Sequence, residues 1–472
     1  MLVPYLAIPY NEYRSQEGGK RMEGKSSKHE ALFRDQPVWK AIFSLAVPSL
    51  LSILVMIFYN MADTFFIAQL GDTTKVAAVS IVSPVFSIIM ALGTMLGVGA
   101  GTILSAAFGA GDERRAKNAS SLCFYAGILL SAIVSVLLLC FASPLLRFLG
   151  TQPEMWDDTL TYLRILALGT VFMISSTTVS SLIRAEGAVR EGLRGYLAGT
   201  VTNIVLDPLF ILAFGWGVAG AAVATVLGNV VSTACYLLYI RRHAAVVSLA
   251  PHWSHGNLAL LGSILALGVP NAVSTLLSGF ASTFSNQLLS THGTDAIAAM
   301  SAAGKASLLI SMVQMGICMG VQPLMAYAYG ARDYARLRET LRKVALLTVI
   351  VGLSAGALCF TFRHWIIGLF LKEAHAAGMG ENMIVYLIAG APFLGFVYLS
   401  TNYLQATQKA GAAIVVSLLR QGLLLIPLLY LCHWILGLTG IAAAHLVTDA
   451  GAAILAMIIF AVHYRRMRKE LL

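Results

Sequence analysis

The chain has 472 residues, 58% of them hydrophobic and 11% charged, with a net charge of +10. A soluble domain carries roughly 25% charged residues, so this composition excludes a soluble globular protein and indicates a chain that crosses a membrane many times. The positive balance does not mark a nucleic-acid partner, because the basic residues gather at the ends of apolar runs.

Residues 1–37 read as a disordered cytoplasmic tail. Within it, GKRMEGKS (19–26) matches the phosphate-binding pattern G-x-x-x-x-G-K-[ST]. Such a loop needs a hydrophobic strand leading into it, and polar NEYRSQEG stands there instead, so ATP is not expected as the energy source. Apolar runs long enough to span a bilayer, about 20 residues or more, follow near 40–66, 76–108, 119–146, 158–183, 192–215, 217–240, 258–290, 296–329, 340–371, 383–406, 411–436 and 438–463. They are too long and too little alternating for barrel strands, and only helices satisfy their own backbone in lipid. The expected fold is therefore an all-α polytopic membrane protein with twelve transmembrane helices. Its parts are a first six-helix lobe over 38–242, a cytoplasmic linker over 243–257, a second six-helix lobe over 258–464, and a cytoplasmic tail over 465–472.

Of the 32 Lys and Arg, 25 fall on the side of the two termini, four on the other side, and three (Arg164, Lys305, Arg420) within spans. The positive-inside rule then places both termini in the cytoplasm, in a multi-pass protein of the plasma membrane. The six cysteines lie in apolar runs without a CxxC pair, which reads as packing rather than disulfide or metal chemistry. No cofactor is expected.

The halves repeat. LAVP (45–48) recurs as LGVP (267–270), FGAGD (108–112) as YGARD (329–333), DPLFIL (207–212) as IPLLYL (426–431), and GVAGAAVA (217–224) as GLTGIAAA (437–444). Each copy carries an even number of spans, so both have the same orientation, related by a pseudo-twofold axis along the membrane normal. Two like bundles across a cleft are the geometry of alternating access. The copies differ in their acids. Asp207 corresponds to Ile426, Asn203 to Gly422 and Asp63 to about Ser285. Residues that only packed helices together would be wanted in both halves.

In the first span, Asn60 and Asp63 are i, i+3 and share a helix face; in the fifth, Asn203 and Asp207 are i, i+4 and do the same. Thr225 follows in the sixth. An acid at bilayer depth costs a few kcal/mol and must face protein or water. Such a group can trade a proton, or hold a monovalent cation with help from Asn and Thr oxygens. Pro208 lacks an N–H and clashes with the Ile204 carbonyl, which frees a backbone oxygen beside Asp207, and Pro48 permits a kink below Asp63. The competing reading is that both acids merely cap or pair with neighbouring helices. Elsewhere, bland readings lead. Lys305 snorkels to the surface. Arg164 and Arg420 pair with acids or line the cleft. His445 and Asp449 (i, i+4) make a structural hydrogen bond. Arg184 and Glu186 hold a gate or loop.

The run VPSLLSILVMIFYNMADTFFIAQLG, the NIVLDPLFIL stretch, GVAGAAVAT, the YGARD turn and the six-plus-six repeat together resemble the multidrug and toxic compound extrusion (MATE) family over about residues 40–464. The resemblance implies two six-helix lobes, a central cleft, a monomer, and antiport of drugs or toxic metabolites, often organic cations, against H⁺ or Na⁺. It carries the first-helix acid to Asp63, the cation-site group to Asn203, Asp207 and Thr225, a nearby tyrosine to Tyr162, and the first-helix kink to Pro48. If the ion is Na⁺, Asp63, Asn203 and Asp207 are its ligands. One branch of the family has acids in the seventh helix; residues 258–290 contain none, which favours the branch similar to DNA-damage-inducible-type members. A lipid-linked oligosaccharide flippase of the wider superfamily is the alternative. It would want several Arg and Lys at mid-depth, where only Arg164, Lys305 and Arg420 are available.

Overall fold

The computed structural model describes residues 27–70, 72–253 and 258–469, apart from a few side chains, and its regular structure is helical. The GKRMEGKS segment lies outside the described residues. The first half contains α1 (Ser27–Arg34), α2 (Val38–Ala68), α3 (Thr73–Gly109), α4 (Glu113–Cys140), α5 (Ala142–Phe148), α6 (Trp156–Ala185), α7 (Val189–Pro208) and α8 (Gly217–His243). The second contains α9 (Leu258–Ser290), α10 (Thr294–Gly330), α11 (Tyr334–Thr361), α12 (Arg363–Phe370), α13 (Ala374–Ala389), α14 (Ala391–Ala406), α15 (Ala410–Leu418), α16 (Leu425–Leu436) and α17 (Leu438–Lys469). Among the described residues, 11 helices are long and apolar enough to cross a membrane, and the pair α13–α14, bent by 42°, makes a twelfth span.

Three departures from the expected runs have local causes. The tenth span starts earlier, at Ala374, and bends at Gly390, two residues before Pro392; proline supplies no N–H to the preceding turn. The runs 119–146 and 340–371 each break in two, at Phe141 and Phe362, which occupy the same place in the repeat and hold nearly the same backbone (φ −105°, ψ 17° and φ −97°, ψ 15°). The stretch read as a disordered tail includes a helix, α1. It forms because Phe33 is buried between the lobes, stacked on Tyr327 at 5.0 Å and edge-on to Phe108 at 6.3 Å. Arg336 Nη2 donates to the Gln36 carbonyl at 2.7 Å behind it.

The repeat extends to the turns. Gly111 (φ 74°) and Arg332 (φ 58°) occupy matched left-handed positions before the N-caps of α4 and α11. Asp112 and Asp333 then accept the backbone N–H of Arg115 and Arg336, each at 2.9 Å. An arginine in that conformation costs about 1 kcal/mol, so the turn is imposed by the fold and glycine is only its easier occupant. Outside the spans, Asp72 caps α3 by accepting from Thr74 N (2.9 Å) and Oγ1 (2.6 Å), which holds its carboxyl below the usual range.

The bundles meet along a seam of small residues. α3 lies on α9, α2 on α10, and α3 on α10 at the pseudo-axis. A Cβ on Gly99 would collide with the Ile264 carbonyl, and one on Gly268 with that of Met95. Nearer the axis, Gly109 abuts the Tyr327 carbonyl and Gly330 that of Ala106, two contacts exchanged by the pseudo-twofold. All these approaches lie in the halves of the helices nearer the termini, and Phe33 fills the end of the seam.

The described part of the connection between the lobes, residues 244–253, is docked on the first lobe. Buried Glu186, just past α6, accepts the backbone N–H groups of Ala245 (3.2 Å), Val246 (3.2 Å) and Val247 (3.3 Å), and Tyr239 Oη donates to its other oxygen at 2.8 Å. Ser121 and Tyr125 hydroxyls donate to the carbonyls of Ala250 (2.8 Å) and Leu249 (3.1 Å).

Candidate functional site: a polar cluster in the first lobe

The site begins with how closely α7 and α8 approach. Gly195, Gly199 and Gly228 leave no room for a Cβ: Gly199 faces Ser232 Oγ and the Gly228 carbonyl, and Gly195 faces the ring of Tyr236. Small residues let helices in a membrane approach closely enough for side chains to bond across the interface. Ser232 Oγ accordingly donates to the Gly195 carbonyl at 3.1 Å, and Tyr236 Oη to that of Gly192 at 3.1 Å.

One turn further along, this proximity brings Asn203 onto α8. Its side-chain oxygen accepts from Thr225 N at 3.1 Å and its amide nitrogen donates to Asp207 Oδ2 at 3.2 Å. The amide orientation follows from chemistry, since the donor end must face the carboxylate and the acceptor end the N–H. Asp207 is fully buried, and Asn203 and Thr225 nearly so. α2 closes the cluster: Tyr59 Oη lies 3.3 Å from Thr225 Oγ1. Asp63, one turn after Tyr59, keeps Oδ1 buried with no hydrogen-bond partner among the described residues. Tyr162 of α6, itself buried, completes the group, and Asp63, Asp207, Tyr59 and Tyr162 lie within electrostatic range of one another. The structure thus gathers Asp63, Asn203, Asp207, Thr225 and Tyr162 in one place. The side chain of Asn60 lies outside the described residues.

The two prolines behave differently. α7 ends at Pro208 and passes into a turn of π-helix over Leu209–Ala213, the wider winding that opens the backbone beside Asp207; π turns in helices concentrate at functional sites. α2 remains one unbroken helix through Pro48.

Sequence reasoning missed two members. Asn229 donates Nδ2 to the Thr225 carbonyl at 2.9 Å, and Ser176 Oγ of α6 donates to Asn229 Oδ1 at 2.7 Å. The signal was present. Extending the GVAGAAVA repeat by five residues pairs Asn229 with Asp449 and Thr225 with His445, and both members of each pair are polar.

Chemically, the described residues of the cluster offer two carboxylates, one of them with an oxygen that none of these residues partners, beside amide, hydroxyl and phenol groups. A buried carboxylate with so few donors is under-satisfied. The donor set, all oxygen around an orphan carboxylate atom, suits a proton or a hard monovalent cation.

In the second lobe the matched position is filled differently. Arg420, within a π turn over Leu419–Leu424, donates Nε to Asp449 Oδ1 at 2.8 Å and lies 5.8 Å from the Tyr398 ring. Lys305 Nζ sits 4.3 Å over the ring of Phe370.

Comparison with known proteins agrees with this architecture. The MatE family model matches twice, over residues 48–209 and 270–431, once per lobe. The chain is 31% identical over 427 residues to the multidrug export protein MepA of Staphylococcus aureus (strain NCTC 8325 / PS 47), covering 90% of this chain and 94% of that protein. It is 30% identical over the same length to MepA of Staphylococcus saprophyticus, with the same coverage of each chain. Among solved structures it is similar to MATE in the bent conformation (TM-score 0.89, 24% identity, 94% of this chain and 99% of that one). It is also similar to an outward-facing multidrug resistance MATE family transporter (TM-score 0.88, 24% identity, 94% and 100%). Twelve spans in two matched lobes, and a family model that falls once on each, make this chain a member of the MatE family and a membrane transporter rather than an enzyme.

Proposed function

We propose that this transporter is a multidrug efflux antiporter of the plasma membrane, with both termini cytoplasmic. It exports organic, often cationic, compounds by alternating access in exchange for H⁺ or Na⁺. The relatives' activity as multidrug export proteins supports the substrate class. The observation that carries the coupling reading is the buried Asp207–Asn203–Thr225 chain facing Asp63, whose Oδ1 has no hydrogen-bond partner among the described residues. It occurs in one lobe, on helices whose packing is otherwise shared by both.

In this reading the ion neutralises the acid pair. A neutral pair lets α2 and α7 settle together; an ionised pair repels and draws in water. That difference is what an ion must supply to bias two conformations. The interlobe seam lies at the end of the termini, and the cluster lies in the half of the lobe away from it, which fits an outward-open arrangement. Organic cations would then be released as the acids take up H⁺ or Na⁺ from outside. The flippase reading is weaker: of the three intramembrane cations, Arg420 is committed to Asp449 and Lys305 to Phe370, leaving little to hold a pyrophosphate headgroup.

The test is ethidium export from proteoliposomes under an imposed proton gradient and, separately, an imposed Na⁺ gradient. Export driven by at least one gradient is expected, and its loss in Asp63→Asn and Asp207→Asn. Export that ignores both gradients, or both variants coupled as well as the parent, defeats the proposal.

A further inference from the structure

A groove of about 660 Å³ opens between α2 and α7 at the end of the membrane where both helices begin. This is within the size range of small-molecule sites. One stripe of α2 lines it, with Lys40, Phe43, Ser44, Val47 and Leu51 at helical spacing, and Pro48 beside them. Arg190, Leu193 and Arg194 of α7 form the facing wall. Because the helices start at the same face, Lys40, Arg190 and Arg194 cluster at the mouth. From there to Leu51 the groove runs inward about 17 Å at the helical rise. Phe43, Val47 and Leu51 are each 44–49% exposed along it.

Two further features fix its depth and charge. Trp39, stacked on Phe43 at 5.8 Å and covered by Lys343 Nζ at 5.4 Å, marks the membrane interface next to Lys40. Glu191 pairs with Arg194 and offsets one charge. Among the described residues no ion pair reaches Lys40 or Arg190. The mouth therefore keeps two net positive charges. Among the described residues the second lobe has no such mouth. Its repeat places Gly262 where Lys40 stands and buried Ala413 where Arg194 stands, with only Lys409 matching Arg190.

We propose that this groove binds an anionic phospholipid, its phosphate held by Lys40, Arg190 and Arg194 and one acyl chain lying along Phe43, Val47 and Leu51. An amphiphile with an anionic head and an apolar tail matches both ends of the groove. Basic pockets between transmembrane helices recognise such headgroups by charge. The same charge argues against a lateral entry for organic cations, which the mouth repels. The lipid would sit against Pro48, on the helix that carries Asp63.

The experiment uses the full-length protein in phosphatidylcholine nanodiscs with trace spin-labelled lipid, reading the motionally restricted fraction by electron paramagnetic resonance. Labelled phosphatidylglycerol should be restricted on the order of tenfold more strongly than labelled phosphatidylcholine, given two net charges at the mouth. The preference should vanish in Lys40→Gln/Arg190→Gln/Arg194→Gln. It should persist in Arg338→Gln/Arg342→Gln, which removes two charges from the second lobe. Val47→Trp, which fills the groove and leaves the charges in place, should also abolish restriction and keeps the test valid if the triple variant is unstable. Equal restriction of the two lipids by the parent protein, or a preference that survives both groove variants, overturns the proposal. So does displacement of the label by tetraphenylphosphonium, which would make the groove a cation portal, or by soluble glycerophosphate, which would make it a phosphate site.

Discussion

Arg420 donates to Asp449 at 2.8 Å, and Asp449 stands where the first lobe has Asn229. The guanidinium thus supplies, within the second lobe, a resident positive charge beside the residue that matches a member of the polar cluster. A buried pair broken on one side leaves an uncompensated charge and costs about 3 kcal/mol or more, whereas replacing both partners with apolar groups is close to neutral. Asp449→Asn should therefore lower the melting temperature of the detergent-purified protein clearly. The double variant Arg420→Met/Asp449→Leu should recover most of the loss. A double variant as unstable as the single one would show that the pair has a role beyond charge compensation.

Glu186 gives a second prediction, on the connection between the lobes. Three backbone N–H groups of the linker and one phenol converge on its carboxylate. Hydrogen bonds to a charged group contribute up to about 3 kcal/mol, and orphaned N–H groups add a desolvation cost. In Glu186→Ala, amide hydrogen exchange across Ala245–Val247 should accelerate by roughly a hundredfold, about 3 kcal/mol of lost protection. Glu186→Gln, which keeps acceptors, should show a smaller change. Unaltered exchange in Glu186→Ala would mean that the hydroxyls of Ser121 and Tyr125 suffice to hold the linker.

Much of this architecture was legible because the membrane constrains the chain so strongly. Span number follows from apolar length, and lobe symmetry follows from the four recurring segments. Asp63, Asn203 and Asp207 declare themselves because acids and amides at bilayer depth are costly. What stayed hidden has physical reasons too. Helix α1 is short and polar, and forms only because Phe33 finds a slot between Phe108 and Tyr327, a contact that no local pattern encodes. Asn229 and Ser176 are ordinary helix-interface residues by composition, and the bond between them depends on how closely α6 approaches α8, where Gly169 has no room for a Cβ against Val226. The docking of the linker on Glu186 is likewise a tertiary fact: the position of Arg184 and Glu186 at the end of a span points to a gate or loop, and not to which backbone groups the carboxylate holds.

Thr225 is predicted to act through its hydroxyl. It sits 3.3 Å from Tyr59 Oη while its N–H holds Asn203. Thr225→Val keeps shape and backbone and removes one hydrogen bond, about 1 kcal/mol. Thermal stability should barely move, while gradient-driven export falls roughly fivefold or more, the low end of typical coupling energies. Thr225→Ser should restore it. Equal export by the Val and Ser variants would assign the residue to packing alone.

The last prediction concerns the seam. Gly99, Gly268, Gly109 and Gly330 each face a backbone carbonyl too closely for a Cβ. Backbone cannot yield as a flexible side chain does, so an added methyl must separate the lobes there. Gly268→Ala should therefore shift the population towards lobes parted at the terminus side, while each bundle keeps its own core. Spin labels at Ala110 and Ala331, in the matched turns at the end of the seam, would report this as a longer mean distance through weaker dipolar broadening in continuous-wave electron paramagnetic resonance. Gly262→Ala is the control, because its Cβ meets nothing within 4 Å, and it should leave the distance unchanged. A Gly268→Ala protein with the parent distance would mean that the seam accommodates the methyl by sliding α9 along α3, and the seam would then not be the contact that sets the closed end.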